Sequence, residues 1–337
     1  AFATIDERIR PWYNEFVIAN DLEQIEGGTM KKFILAAFLI LGLLASGCGG
    51  APTEKKADEK LTVVVSFNAM KEFTQAVGGD AIHVVSLIPE GTEPHGFSPT
   101  ADQMKTLHNA KLLIVHGLGM EPWAQKIAET SGNPNLIVVE ASKGVTPIPL
   151  EEEDEDNHGA EEKEHHHHGP YDPHAWLSLT AAQIEVQNIA DALSQADPVH
   201  KETYKKNAAS YKKQLQSLYQ EYQPRFEKID HKDFVAGHAA FGYLCRDFGL
   251  HMDSIESVFA EGEPSAKQMA RLLDYCRARG IKTIFTESEV SPKTSETLAR
   301  EIGAKTVPIY TMETSENGKG YLERMKENLA HIEESLR

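Results

Sequence analysis

Three histidines and one glutamate stand out because each lies where a strand-like apolar run gives way to a loop, or where a loop meets a helix. His95 sits in Glu93-Pro94-His95-Gly96-Phe97, His174 in Asp172-Pro173-His174-Ala175-Trp176, His238 in Gly237-His238-Ala239-Ala240-Phe241, and Glu313 in Tyr310-Thr311-Met312-Glu313-Thr314. In open α/β sheets ligands bind at the carboxyl ends of strands, so these positions are informative. Three neutral imidazoles and one carboxylate form a tetrahedral donor set suited to Zn2+, with bonds of about 2.0–2.2 Å. Oxygen-rich sites suit manganese better. A single histidine beside a proline is more often a loop or capping residue, and only the combination points to a metal. The histidines His83, His108, His116, His200 and His251 have no comparable context and read as surface or packing residues.

A second group of metal-binding types is of another kind. Residues 151–168 run from Glu151-Glu152-Glu153-Asp154-Glu155-Asp156 through His158 to His165, His166, His167 and His168. Such a stretch cannot bury a core and reads as a solvated low-complexity loop. Its imidazoles and carboxylates could gather zinc weakly near the mouth of a cleft, with His158 and His165 to His168 as the weak-site residues.

The elements that must position the four residues alternate strand and helix. Residues 61–67 form a β-branched run that reads as a buried strand, a helix follows near 70–77, and further strands are expected at 82–88, 112–115 and 136–139. A second alternation begins after residue 232. It has strands at 234–236, 281–286 and 306–310, helices at 241–248 and 264–279, and a closing amphipathic helix from Tyr321. Alternation of this kind implies mostly parallel sheets covered on both faces. Between the two lies a helical region: 180–195, then a helix capped by Asp197-Pro198 that runs to about Tyr222 before Pro224. At 1.5 Å per residue the second helix is roughly 35–40 Å long, enough to join two lobes rigidly. The expected fold class is α/β: two lobes with mostly parallel sheets, 61–178 and 232–337, joined by long rigid linking helices over 179–231.

The start of the chain speaks to compartment. Met30-Lys31-Lys32 precedes an apolar run over 33–41, and Leu43-Leu44-Ala45-Ser46-Gly47-Cys48 closes it with small residues before a cysteine. This has the shape of a secretory signal over 30–47 and is too short for a comfortable membrane span. The ending resembles a bacterial lipobox, which implies Cys48 as the lipidation site, with a soluble secreted protein cleaved nearby as the alternative, and residues 48–60 read as a polar tether. Residues 1–29 lie upstream of this signal and take no part in the fold reading.

The formal net charge of -17 argues against a nucleic-acid partner, which would need Lys and Arg to neutralise phosphates. Cys245 and Cys276 lie on core-facing helical segments, where free thiols and a disulfide are both open.

The motifs taken together resemble the cluster A-I metal-binding proteins, the zinc-uptake branch of the solute-binding lipoproteins of ABC importers. The likeness runs through Glu93-Pro94-His95 with Ser98-Pro99-Thr100, Asp172-Pro173-His174-Ala175-Trp176-Leu177-Ser178, His238-Ala239-Ala240-Phe241-Gly242-Tyr243-Leu244-Cys245, Glu263-Pro264-Ser265 and Ser291-Pro292-Lys293-Thr294, and covers about residues 61–337. The resemblance implies His95, His174 and His238 as metal ligands and Glu313 as the fourth, with a water in its place as the alternative. It implies metal in the interlobe cleft, Zn2+ as transported cargo, a membrane permease as partner, a lipid anchor on the extracytoplasmic face of a bacterial membrane, a monomer, and no enzymatic activity. It also implies an acidic, His-rich loop between the first two ligands, where 151–168 falls. The alternatives are Mn2+ or Fe2+ as cargo, or a zinc-dependent hydrolase. A hydrolase would keep a coordination position open for water.

Overall fold

The computed structural model describes residues 60–150, 169–260, 264–288 and 291–337. The upstream residues 1–29, the signal-like segment 30–47, Cys48, the tether to residue 59, and His158 and His165 to His168 lie outside the described residues. All described residues belong to one unit, Lys60–Arg337.

The first lobe starts with β1 (Leu61–Val65), α1 (Asn68–Gly78) and β2 (Ile82–Ser86). It continues through α2 (Ala101–Thr106), β3 (Leu112–Val115), α3 (Ala124–Thr130) and β4 (Ile137–Glu140). The strands pair in parallel in the order β2-β1-β3-β4. Val63, Val64 and Val65 are fully buried, as expected of a parallel strand covered on both faces. Val63 and Val65 join one apolar cluster and Val64, pointing the other way, joins a second beside Leu107 and Ile127.

A short antiparallel ladder, β5 (Ile148–Pro149) with β6 (Tyr171–Asp172), leads to α4 (Leu179–Ala196) and α5 (Lys201–Glu227). The second lobe comprises β7 (Asp233–His238), α6 (Gly242–Phe248), β8 (His251–Glu256), α7 (Ala266–Arg279), β9 (Thr283–Thr286), α8 (Pro292–Ile302), β10 (Lys305–Pro308) and α9 (Tyr321–Ser335). Its parallel strand order is β10-β9-β7-β8. The two-lobed α/β architecture expected from the strand–helix alternation is therefore present.

Helix α5 has 27 residues, about 40 Å at the usual rise. Near its start Asn207 Nδ2 donates to the Val77 carbonyl of the first lobe at 2.9 Å. Near its end Phe226 packs on Phe248 of the second lobe, with ring centroids 5.1 Å apart. One continuous apolar cluster contains Val63, Leu193, Leu215, Phe234 and Leu336, so both lobes and the joining helices share a core.

Several boundaries differ from expectation for physical reasons. Helix α5 continues through Pro224 to Glu227, although proline removes one backbone donor. The last turn is held because Phe226 is fully buried. Helix α7 starts at Ala266, because Ser265 accepts from the Gln268 backbone and Gln268 reaches back, forming a capping box. Gly280 ends it in the left-handed conformation at φ 63°. Strand β8 has no apolar run and is an edge strand, so the sequence pattern does not announce it. Cys245 and Cys276 are free buried thiols in two different apolar clusters.

Beneath the loop after β3 lies a buried polar group. Glu121 accepts the backbone N–H groups of His116 at 2.9 Å and Gly117 at 3.0 Å. His116 Nδ1 is 3.7 Å from Glu185 Oε1 on α4, and both side chains are fully buried. Burial pushes Glu185 up to about 8, helped by the nearby Glu121 charge, and pushes Glu121 up to about 7. Burial depresses His116 to about 3. Between the ordinary 4.5 and about 8 the folded protein holds the Glu185 proton while the unfolded chain releases it, so this group's contribution to stability declines as pH rises. Glu185→Gln cannot ionise. Its melting temperature relative to the unsubstituted protein is expected to rise from about pH 5 to about pH 8 and then level off. A difference that stays constant across that range in a thermal melt series would show that Glu185 carries no such proton.

Candidate metal centre

Each of the four residues is delivered by a different segment, three by loops and His238 by a strand end. His95 follows β2 in a turn pinned by Glu93, whose carboxylate accepts the N–H of His95 at 2.6 Å and of Gly96 at 2.9 Å. The His95 ring stands edge-on to Phe259, with centroids 5.7 Å apart. His174 follows β6, and Asp172 Oδ1 lies 2.8 Å from its backbone nitrogen and 2.9 Å from its Nδ1. His238 is the last residue of β7. Glu287, just past β9, accepts the N–H groups of Gly237 at 3.0 Å and His238 at 3.3 Å with Oε1, and its Oε2 meets His238 Nδ1.

In the second sheet the chain leaves β7 in one direction to β8 and in the other to β9 and β10. The switch point therefore falls between β7 and β9, where His238 and Glu287 stand, as the rule for open α/β sheets requires.

The four side chains converge. His174 Nε2 lies 3.1 Å from His95 Nε2 and 3.3 Å from His238 Nε2. Glu313 Oε1 is 3.4 Å from His95 Nε2, 3.4 Å from His174 Nε2 and 3.8 Å from His238 Nε2. A tetrahedral zinc ion with bonds of about 2.0–2.1 Å has donor–donor edges of about 3.3–3.4 Å, within the observed span. All four residues are buried, none more than 5 % exposed. His95, His174, His238 and Glu313 form the metal-type group found among the described residues.

Glu313 arrives on a loop of the second lobe that is tied to the first. The Asn68 backbone N–H at the start of α1 donates to the Glu313 carbonyl at 3.3 Å, and Asn68 Nδ2 donates to the Met312 carbonyl at 3.3 Å. Met312 has φ 64°, a left-handed conformation costing a non-glycine residue about 1–2 kcal/mol. Trp176 Nε1 donates to the Thr311 carbonyl at 2.7 Å, and the Tyr321 hydroxyl donates to the Trp176 carbonyl at 2.5 Å. Arg324, fully buried, donates to the Thr314 carbonyl at 2.7 Å and pairs with Glu72 of α1. Asp247 of α6 completes the tie by accepting from Ser178, Thr180 Oγ1 and the Thr180 backbone at the start of α4.

The electrostatics fit a cation. Burial alone would raise the Glu313 carboxyl, but the facing His174 and His95 imidazoles outweigh it and hold the carboxyl well below the usual range. Burial of His174 disfavours its charged form, yet the Asp172 and Glu313 carboxylates outweigh burial and raise it. At His95 burial wins over Glu313 and the shift is downward.

The sequence pattern singles out all four converging residues. It misses Asp172 and Glu287 as partners of the imidazoles. Asp172 stands two residues before His174, a visible signal, whereas Glu287 reaches His238 only through the β7–β9 pairing. His116, expected at the surface or in packing, is a packing residue, with its ring 4.8 Å from that of Trp176. His83 and His108 are exposed.

Two α/β lobes enclosing a buried set of three histidines and one glutamate define a metal-binding protein of the solute-binding class. Residues 63–335 match the family described as zinc-uptake complex component A, periplasmic, and the chain belongs to that family. It is 38% identical to the high-affinity zinc uptake system protein ZnuA of Bacillus subtilis (strain 168), over 90% of this chain and 96% of that one. It is 35% identical to the zinc-binding lipoprotein AdcA of Streptococcus pneumoniae (strain ATCC BAA-255 / R6), over 91% of this chain and 61% of that longer protein. A Zn(II)-bound variant of AdcAII from Streptococcus pneumoniae superposes with a TM-score of 0.72 at 33% identity, covering 82% of this chain and 99% of that one.

Removing the cross-lobe tie should loosen the Glu313 loop. Arg324→Met leaves Glu72 without its cation and is expected to cost on the order of 3 kcal/mol, read from chemical denaturation at neutral pH. An unchanged denaturation midpoint would show that the pair contributes nothing to holding this loop.

Proposed function

We propose that this protein captures Zn2+ outside the cytoplasm with His95, His174, His238 and Glu313 and delivers it to the membrane permease of an ABC importer. The observation that carries this reading is the convergence of three imidazole nitrogens and one carboxylate oxygen within 4.8 Å of one another in a buried site, with His174 Nε2 and Glu313 Oε1 separated from their neighbours by 3.1–3.8 Å, near tetrahedral zinc edges. The relatives named for zinc uptake and zinc binding support the same cargo. Three nitrogens and one oxygen favour zinc over manganese, which prefers more oxygen donors. Four protein donors leave no open position for a metal-bound water, so a binding role is favoured over a zinc hydrolase.

Cys48 is the proposed lipid attachment, with residues 48–60 as the tether to the outer face of the membrane, and the protein acts as a monomer. The name of the AdcA relative supports a lipoprotein. Residues 151–168 are a secondary zinc-gathering segment through His158, His165, His166, His167 and His168.

Zinc affinity measured by chelator competition separates the two sites. His238→Ala is expected to lower affinity by more than about a hundredfold, beyond what loss of a supporting residue costs, while deletion of residues 151–168 changes it little. The opposite ranking would move the main site to the acidic segment. Protons compete with zinc for the imidazole nitrogens, and burial of His174, which disfavours its charged form, is outweighed by the Asp172 and Glu313 carboxylates, which favour it. Affinity is therefore expected to fall about tenfold or more from about pH 7.5 to 5.5, and a flat profile would exclude imidazole ligation.

A further inference from the structure

Two of the three converging imidazoles are backed by carboxylates and the third is not. His174 Nδ1 lies 2.9 Å from Asp172 Oδ1, and His238 Nδ1 meets Glu287 Oε2. His95 Nδ1 has no hydrogen-bond partner among the described residues. A carboxylate only accepts, so an imidazole nitrogen bonded to one must carry the proton, leaving the opposite nitrogen as a bare lone pair. For His174 and His238 that bare nitrogen is Nε2, the atom facing Glu313 Oε1.

We propose that Asp172 and Glu287 are positioning residues that lock His174 and His238 in the Nδ1–H form, so that two nitrogen lone pairs are aimed at one point before a metal arrives. This deepens the zinc-capture reading and rests on it. Two bare nitrogens 3.3 Å apart repel, and the hydrogen bonds behind them offset that repulsion. The supports are themselves held. Asp172 Oδ1 also accepts the His174 backbone N–H, and Glu287 Oε1 accepts two backbone N–H groups. Glycines make room for both carboxylates. A Cβ at Gly242 would stand 2.7 Å from Asp172 Oδ2, and one at Gly237 would stand 3.2 Å from the Glu287 carboxylate. Two extra negative charges behind the ring nitrogens also raise the basicity of the donors.

The two carboxylates differ in a way that conservative substitutions expose. In Asp172 one oxygen serves both the backbone and the ring, so the single amide oxygen of an Asp172→Asn variant can do the same. In Glu287 the backbone takes Oε1 and the ring takes Oε2, so Glu287→Gln must either abandon the backbone bonds or turn its amide NH2 toward His238 Nδ1. The second outcome forces the proton onto Nε2 and blocks coordination.

The test uses the metal-free protein with 15N-labelled histidine, in which two-bond 15N–1H correlations identify the protonated ring nitrogen, together with zinc affinity from chelator competition. His174 and His238 are expected to carry the proton on Nδ1. Asp172→Ala and Glu287→Gln are expected to lose about 10–100-fold in zinc affinity, while Asp172→Asn retains most of it. The Glu287→Gln spectrum should show the His238 proton on Nε2, and circular dichroism confirms that each variant is folded. Protons on Nε2 of both rings in the unsubstituted protein, or unaltered zinc affinity in a folded Glu287→Gln variant, would overturn the positioning role. Failure of the unsubstituted protein to bind zinc would instead sink the zinc reading, and the ring-proton assignment would still decide the role of the two carboxylates.

Discussion

Three imidazole nitrogens and a carboxylate oxygen gathered within 4.8 Å of one another, away from water, form an arrangement that is costly to hold together. A buried anion and bare buried nitrogens are each costly without a compensating charge. A divalent cation at their centre removes both costs at once, and much of the surrounding architecture serves to keep the donors together. The low-lying Glu313 carboxyl and the raised His174 imidazole are two expressions of the same local field.

Keeping such a set together across two lobes requires that the lobes not drift. The shared apolar cluster, the long α5 helix, the hydrogen bonds donated by Asn68 and Trp176, the Arg324–Glu72 pair and the hydrogen bond from Ser178 to Asp247 all cross from one lobe to the other. The Glu313 loop belongs to the second lobe by chain order, yet its carbonyls are bonded to residues of the first. A rigid separation of the lobes would break these bonds together with the convergence of the four side chains. The frame therefore disfavours a wide hinge, and the His95 turn is held by the Glu93 carboxylate with its ring against Phe259.

Family membership and donor geometry are independent observations that agree. Residues 63–335 match the zinc-uptake family as a whole, and the four converging residues come from four segments scattered over more than two hundred positions of that span. Parallel sheets explain how His95, His238 and Glu313 meet, because parallel strands end on one side of their sheet and the segments that follow gather there, while His174 is brought in after the antiparallel β5–β6 ladder.

Much of this was legible along the chain. Runs such as Val63-Val64-Val65 announce buried parallel strands, Gly280 marks a helix end, and His95, His174, His238 and Glu313 stand at strand ends in motifs with fixed order. Local chemistry decides these features, and local chemistry is written in sequence. What the chain did not disclose depends on neighbours brought close by folding. Strand β8 exists because β7 offers it an edge, the last turn of α5 survives Pro224 because Phe226 is buried, and Cys245 and Cys276 stay free because they lie in different clusters. Above all, Glu287 reaches His238, 49 positions away, only because β9 lies beside β7. Sequence named the atoms able to hold a metal, and tertiary packing decided which of them are aimed and what stands behind them.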